Sequence, residues 1–329
     1  MKKRIIACAL AAALLVGAGT QAAQAAPRII SAVASSALGG PQQLSVGAFQ
    51  SEIKTRMGER LVVDGRSGTT LGSENALLAA ARSGSVDIAI LTGPVVSIAV
   101  PEFGVFDMPF VFRDWAHVKA VSEGPLAEQI APKFAAKGLV LLAIGEQGFR
   151  NITNSKRPIR TPADLAGIKL RVPGGKWRVK MFQAYGANPS PMKFSEVFTA
   201  LQTGVMDGEE NPFTQIYSAK FQEVQKYLSL TGHVYTPAYL TVGRTKWESI
   251  PADVRKVLED TAKETQAYVY EVAARDDDDL LGKLKAAGMQ VNEADKDAFI
   301  AASKPIYEEF GKEVAGAKDV IDRAVALGK

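Results

Sequence analysis

Arg171-Val172-Pro173-Gly174-Gly175 follows Thr161-Pro162-Ala163-Asp164-Leu165-Ala166-Gly167-Ile168-Lys169-Leu170 and precedes Phe194-Ser195-Glu196-Val197. Thr161 is placed to cap a helical turn, with Pro162 at its first position and Asp164 where the helix dipole favours an anion. Ile168 to Val172 then reads as a short strand and Lys176 to Tyr185 as a helix. Ser195 to Gln202 is a second helix stopped by Gly204, and Val205 to Gly208 a second strand. This unit ends at Asp207-Gly208-Glu209-Glu210-Asn211-Pro212. A guanidinium at the end of a short strand, with an amide and aromatics nearby, is a device for holding a small carboxylate.

The same grammar precedes it. Arg28 to Ala34 reads as a strand, Gln42 to Arg56 as an amphipathic helix and Arg60 to Asp64 as a strand. Glu74 to Ala81 is a helix, and Val86 to Leu91 a buried strand. Alternating strands and helices predict a parallel sheet with helices on its faces. His117 to Val121 and Leu126 to Lys137 read as helices, Leu139 to Ile144 and Tyr235 to Val242 as strands. Pro251 to Met289 reads as one or two long helices, and the end from Asp295 is helical again. Ala79 to Asp87 and Thr199 to Asp207 share one pattern of helix, glycine stop, branched residue and aspartate, which suits two similar lobes. The expected fold is therefore α/β, with two lobes, a ligand cleft between them and a long C-terminal helical region. Lobe I is expected at 26–150 plus about 233–255, and lobe II at 151–232 plus about 256–329.

The first 25 residues read as a secretory signal. Lys2, Lys3 and Arg4 precede an apolar run from Ile5 to Val16, and Ala23-Gln24-Ala25 has the small-x-small form of a cleavage site. The run is shorter than the roughly 20 residues a spanning helix needs. The expected location is the periplasm. The only cysteine, Cys8, lies inside this segment, so the rest of the chain has no disulfide, thiol nucleophile or thiolate metal ligand. The chain has 39 Lys+Arg against 35 Asp+Glu, and the signal holds three of those bases, leaving 36 against 35. That balance does not point to nucleic acid. The run Asp276 to Asp279 lacks the alternating ligands and glycine of a calcium loop and reads as a solvated helix face.

The residues from Arg150 to Pro212 resemble the signature region of solute-binding proteins of TRAP transporters, the tripartite ATP-independent periplasmic family, in the dicarboxylate-type branch named DctP. The resemblance rests on Phe149-Arg150-Asn151-Ile152-Thr153-Asn154, on the Thr161 to Pro173 phrase and on Phe194 through Pro212. Leu71-Gly72-Ser73-Glu74, Gly84-Ser85-Val86-Asp87 and Val105 through Phe112 fit the same template. It implies a two-lobe fold of periplasmic-binding-protein type, a receptor that closes on a small organic acid and docks on small and large membrane subunits. Uptake would be driven by an ion gradient, and no cofactor or metal is required. It implies that Arg171 clamps the carboxylate, because its planar fork makes two parallel charge-assisted bonds where Lys makes one. Arg150 falls on a second arginine facing the site, Asn211 on an asparagine that bonds the ligand or orients Arg171, and Phe194 on an aromatic wall. Ser35, Ser36, Glu74 and Thr92 fall on lobe I positions near the cleft. Gly175 and Trp177 follow the clamp as a backbone donor and an apolar wall. The glycine-rich opening Ser35 to Pro41 and the uncharged Thr92 depart from commoner members, and leave open which acid is bound: dicarboxylate, keto acid, sugar acid or aromatic acid.

An enzyme finds little support in the residues. The chain has two histidines, His117 and His233, both read as structural. It shows no Gly-x-Ser-x-Gly elbow, no metal-binding His pair and no phosphate loop. A periplasmic hydrolase would need a carboxylate pair that no spacing singles out. A receptor of the ATP-driven uptake class conflicts with the Arg150 to Asn211 motifs. A ligand-binding sensor subunit docking on a membrane signalling protein is the remaining alternative.

Overall fold

A computed structural model describes residues 27–33, 40–68, 71–122, 124 and 131–327. The signal-like segment and the Ser35 and Ser36 positions lie outside the described residues. Strand β1 (Arg28–Val33) leads to helix α1 (Pro41–Met57), β2 (Val62–Ser67), α2 (Glu74–Ser83) and β3 (Ile88–Thr92). Next come α3 (Gly93–Ala99), a 3-10 segment (Pro101–Asp107), α4 (Trp115–Ser122), α5 (Pro132–Ala135) and β4 (Leu139–Asn154). The second half builds β5 (Lys169–Val172), α6 (Lys176–Ala184), β6 (Asn188–Pro191), α7 (Phe194–Gln202), β7 (Gly208–Asn211) and α8 (Phe213–Ser218). The chain returns through β8 (Tyr227–Gly243) and ends with α9 (Arg244–Ser249), α10 (Ala252–Ala286), β9 (Gln290–Glu293), α11 (Lys296–Glu313) and α12 (Ala317–Leu327).

The strands form one sheet in the order β2-β1-β3-β8-β4-β7-β5-β6, with β9 also paired to β8. Two parallel blocks, β2-β1-β3 and β7-β5-β6, flank the antiparallel pair β8-β4. That central pair is far longer than its neighbours, 16 and 17 residues. The two-lobe α/β expectation is met, but the expected strands at Leu139 to Ile144 and Tyr235 to Val242 cover only part of β4 and β8. The remainder is polar in composition: Glu146, Gln147, Arg150, Asn151, Thr153 and Asn154 are all buried in β4. A buried polar strand has no apolar alternation to announce it. Likewise β7 is Gly208-Glu209-Glu210-Asn211, three residues beyond the expected strand, and is buried throughout.

Each half has its own apolar layer. Ile29, Phe49, Leu61, Ile88, Leu240 and Leu258 pack together at the β1 end. Val197, Leu201, Ile216, Phe221, Leu228 and Leu284 do so at the β7 end. Helix α10, 35 residues and roughly 52 Å at 1.5 Å per residue, packs on α1, β4 and α8 and so straps both halves. Its buried stripe runs from Val254 through Leu258, Ala262 and Val269 to Ala273, then lapses until Leu284. The Asp276 to Asp279 run fills that lapse. Asp278 and Asp279 are exposed, as expected of a solvated face. Asp277 departs from it: burial, with Asp278 and Asp276 adding, pushes its carboxyl up to about 7, against a hydrogen bond from Trp115.

β4 and β8 slip register at Leu141/Ala143, Glu146/Gly148 and Arg150/Ile152. Gly148 sits at the middle slip with φ +128°, and a Cβ there would lie 2.8 Å from Pro212 Cβ. Gly148→Ala is therefore expected to lower unfolding stability by about 1–3 kcal/mol through backbone strain. Gly47→Ala on the open face of α1, where a Cβ meets nothing within 4 Å, should raise it by up to about 1 kcal/mol. Urea unfolding of the two variants beside the parent measures both.

Candidate functional site

A cleft of about 520 Å³ opens where the two parallel blocks meet the central pair. Its floor and walls come from strand ends: Thr92 closes β3, Pro173 and Gly174 follow β5, Pro191 ends β6 and Asn211 ends β7. Open α/β sheets place ligands at the carboxyl ends of their parallel strands for this reason: the chain leaves the sheet there and exposes side chains and backbone groups.

Arg171 is 3% exposed and lines the cleft. Its Nε and Nη2 both donate to the Met192 carbonyl, at 3.0 and 2.7 Å. Its guanidinium carbon lies 5.9 Å from the Phe194 ring centroid. Among the described residues it makes no ion pair with a carboxylate. Burial, with the Arg150 charge adding, pulls its pKa down to about 10 against the pull of Glu209, Glu210 and Glu74. A guanidinium is still a full cation at neutral pH with that value, so the cleft holds a buried positive charge.

The other two arginines near it are satisfied by protein. Arg150 donates from Nε to Glu210 Oε2 at 2.5 Å, and from Nη2 to Glu210 Oε1 and Asn211 Oδ1, both at 3.0 Å. Arg178, fully buried on α6, bonds Glu210 Oε2 through Nη1 and Asp107 Oδ1 through Nη2, each at 2.9 Å. Burial alone would raise the Glu210 carboxyl, but Arg150, Arg178 and the His233 hydrogen bond outweigh it and hold it well below the usual range. Burial pushes Asp107 up despite Arg178. Asp107 belongs to the 3-10 segment and Glu210 to β7, so Arg178 ties elements far apart in the chain.

His233, in β8, donates from Nε2 to Glu210 at 3.0 Å and accepts at Nδ1 from Thr231 at 2.8 Å. Burial pulls its pKa down to about 4 against the pull of Glu210, leaving it neutral. His117 bonds the Ala324 carbonyl at 2.6 Å through Nε2 and accepts the Arg113 N–H at Nδ1. Both histidines are engaged as parts of the scaffold.

Asn211 lines the cleft with its amide orientation set by its neighbours. Arginine has no acceptor, so the atom facing Arg150 must be Oδ1. The Nδ2 then donates to Glu209. Phe194 begins α7, lines the cleft and stacks edge-on with Phe221 at 5.7 Å. Glu74 and Thr92 meet across the other wall, with Thr92 Oγ1 donating to Glu74 Oε2 at 2.7 Å. Two expected contacts lie elsewhere. Trp177 is buried against Phe310, ring centroids 5.0 Å apart and edge-on, and belongs to the core. Gly175 packs on Pro94 with φ +123°, while its neighbour Gly174 lines the cleft. Both follow from the backbone turning into α6, which swings the helix's first residues away from the cleft.

Gln147 and Met192, unmarked by any motif, also line the cleft. Gln147 sits in the polar half of β4, and Met192 contributes the carbonyl that holds Arg171. The carboxylates Glu209 and Glu210 stood in the quoted motif, but nothing in their spacing marked them as buried.

Acidification tests the network. A histidine whose pKa is lower in the folded than in the unfolded chain contributes stability that is complete above about 6.5 and lost as pH falls toward 4. Between pH 7 and 4 the stability of His233→Gln should therefore decline less than that of the parent in chemical denaturation.

Residues 32–313 match the family model described as bacterial extracellular solute-binding protein, family 7, DctP. A solute-binding protein of Verminephrobacter eiseniae is 38% identical over 297 residues, covering 89% of this chain and 87% of its own. A TRAP periplasmic solute-binding protein from Polaromonas sp. JS666, bound to D-erythronate, superposes with a TM-score of 0.86 at 34% identity, over 91% of this chain and 98% of that one. The sugar acid binding protein of Advenella mimigardefordensis, in complex with galactonate, gives 0.84 at 34% identity over 92% and 100%. No helix among the described residues is long and apolar enough to cross a membrane. With its two-lobe sheet and strand-end cleft, the chain belongs to the DctP family of bacterial extracellular solute-binding proteins.

Proposed function

We propose that this receptor captures a hydroxylated monocarboxylate of the sugar-acid class for a TRAP transporter, and that Arg171 holds the carboxylate. The observation that carries this is the buried Arg171 charge with no carboxylate partner among the described residues, in a cleft where Arg150 and Arg178 are already paired. Burying an unpaired cation is costly, and a ligand carboxylate offsets that cost with charge-assisted bonds. Asn211 and Phe194 flank the same charge. On the opposite wall the Glu74 carboxylate accepts from Thr92, and a carboxylate, an acceptor through both oxygens, is suited to receive a ligand hydroxyl. Its negative charge opposes a second carboxylate at that end. The bound D-erythronate and galactonate of the two related structures are acids of this kind.

The lobes divide along the central strands, 26–150 with about 233–255 on one side and 151–232 with about 256–329 on the other. Helix α12 reaches back to α4 and the 3-10 segment. Closure of the cleft removes water from the Arg171 contact and strengthens it. The chain works in the periplasm after cleavage beyond Ala25, and its closed form is what the small and large membrane subunits recognise. It is a receptor and catalyses no reaction.

Thermal shift of ligand-free protein against a panel of sugar acids, keto acids, dicarboxylates and aromatic acids tests this reading, because a ligand of the folded state raises Tm by mass action. A shift with sugar acids, lost in Arg171→Ala, is expected. Truncating one partner of such a pair costs about 2–5 kcal/mol, on the order of 30- to 5,000-fold in Kd. A response only to neutral or cationic solutes would refute the assignment. Glu74→Gln should weaken sugar-acid binding about 10- to 150-fold, the worth of a hydrogen bond to a charged group, and improve binding of a dicarboxylate of equal length. Calorimetric titration of both ligands on both proteins measures that exchange.

A further inference from the structure

Glu209 is a buried carboxylate beneath the cleft floor, bonded to the lining residue Asn211, that the clamp itself does not use. On the sheet it is the register partner of both Arg171 on β5 and Thr153 on β4. It is 0% exposed and makes no ion pair among the described residues. Its Oε2 accepts from Asn211 Nδ2. Its Oε1 lies 2.7 Å from Thr153 Oγ1, which is also 3.3 Å from Gln225 Oε1. The Gln225 amide orientation is set by its Nε2 donating to the Val224 carbonyl.

Thr153 thus stands between two acceptor oxygens with one hydrogen to give. If Glu209 is ionised, one of the two contacts has no hydrogen. If Glu209 carries a proton on Oε1, it donates to Thr153, which passes its own hydrogen to Gln225, and every oxygen in the row is served. Charge counting points the same way. Around this floor stand the guanidiniums of Arg150, Arg171 and Arg178, against the carboxylates of Glu209, Glu210, Asp107 and, across the cleft, Glu74. Asp207, at the start of the same stretch, is occupied by Lys156 and Lys169, and His233 is neutral. With Glu209 ionised this is three cations against four anions, an excess of negative charge that opposes an arriving anion, and protonating Glu209 brings the count level.

We propose that Glu209 is a positioning residue of the ligand cleft that takes up one proton from solvent as an acid's carboxylate settles on Arg171. The balance is simple: an ionised Glu209, a ligand anion and a proton give a neutral Glu209 beside the Arg171–carboxylate pair. Burial already pushes Glu209 up to about 7 without ligand, helped by Glu210 and resisted by the Asn211 and Thr153 hydrogen bonds and by Arg171. A ligand anion on Arg171 removes most of that last restraint, so the pKa rises further in the complex. Binding therefore tightens as pH falls toward neutrality, and protonated Glu209 keeps Asn211 oriented between itself and Arg150.

This rests on the sugar-acid reading, and one experiment separates the two. Galactonate is titrated calorimetrically into the full mature protein between pH 6 and 8.5, in phosphate and in Tris, whose ionisation enthalpies differ. Expected for the parent is uptake approaching one proton per ligand at pH 8, and a Kd that weakens by up to about tenfold per pH unit above 7. Glu209→Gln, which keeps an acceptor for Asn211 and offers an amide hydrogen to Thr153, should take up no proton and lose the pH dependence. Binding with no proton uptake by the parent, or with the same uptake in Glu209→Gln, overturns the inference and leaves the capture function standing. If Glu209→Gln does not fold, the parent's proton count decides alone. Failure of galactonate and every other acid to bind at any pH overturns the function and this inference with it.

Discussion

Three guanidiniums buried within one small volume are the constraint on which the rest of this molecule depends. Each would be expensive to bury alone, since a charge removed from water must be paired or must lose its proton, and arginine does not readily lose one. The fold resolves two of them internally. Glu210 takes bonds from Arg150, Arg178 and His233 together, and Asp107 completes Arg178. The third, Arg171, donates among the described residues only to the Met192 carbonyl. A dipole in place of a counter-ion leaves a cation in want of an anion, and the open cleft beside it is where an anion can arrive.

That network also explains the long polar strands. Arg150 and Glu210 must lie on adjacent strands to meet, and Arg178 must reach across from α6 to the 3-10 segment. β4 and β8 supply the frame by running through the whole sheet, with register slips that let the backbone bend without ending. The slip at Gly148 brings β4 against Pro212, directly after Asn211. Buried ion networks are weak sources of net stability, because desolvation consumes much of the attraction. What this one supplies is placement: it sets Asn211, leaves Arg171 uncancelled and puts Glu209 beside it.

The legible parts of the site were those whose chemistry is local. Arg171 after a short strand could be marked from residue type and position, Asn211 and Phe194 through resemblance, and all three line the cleft. Glu74 and Thr92 were likewise named through resemblance, and they line it too. Trp177 packs against Phe310 and Gly175 lies beside Pro94, because the chain turns into α6 there in a direction that chain proximity does not reveal. Ser35 and Ser36 fall outside the described residues. The burial of Glu209 and Glu210 was not legible, since adjacent acids in a short segment read as surface by composition alone.

Alternation of apolar runs with capped helices, stopped by glycines, was enough by itself to indicate an α/β molecule with one or two long helices late in the chain. Those features depend on interactions within about ten residues of chain. Whether a charged side chain is buried, and whether another charge cancels it, depends on strands brought together from positions 60 or more residues apart, as Arg150 and Glu210 are. Only the tertiary structure could decide that Arg150 and Arg178 are paired, that Arg171 has no carboxylate partner among the described residues, and that Glu209 lies beside Arg171 on the neighbouring strand.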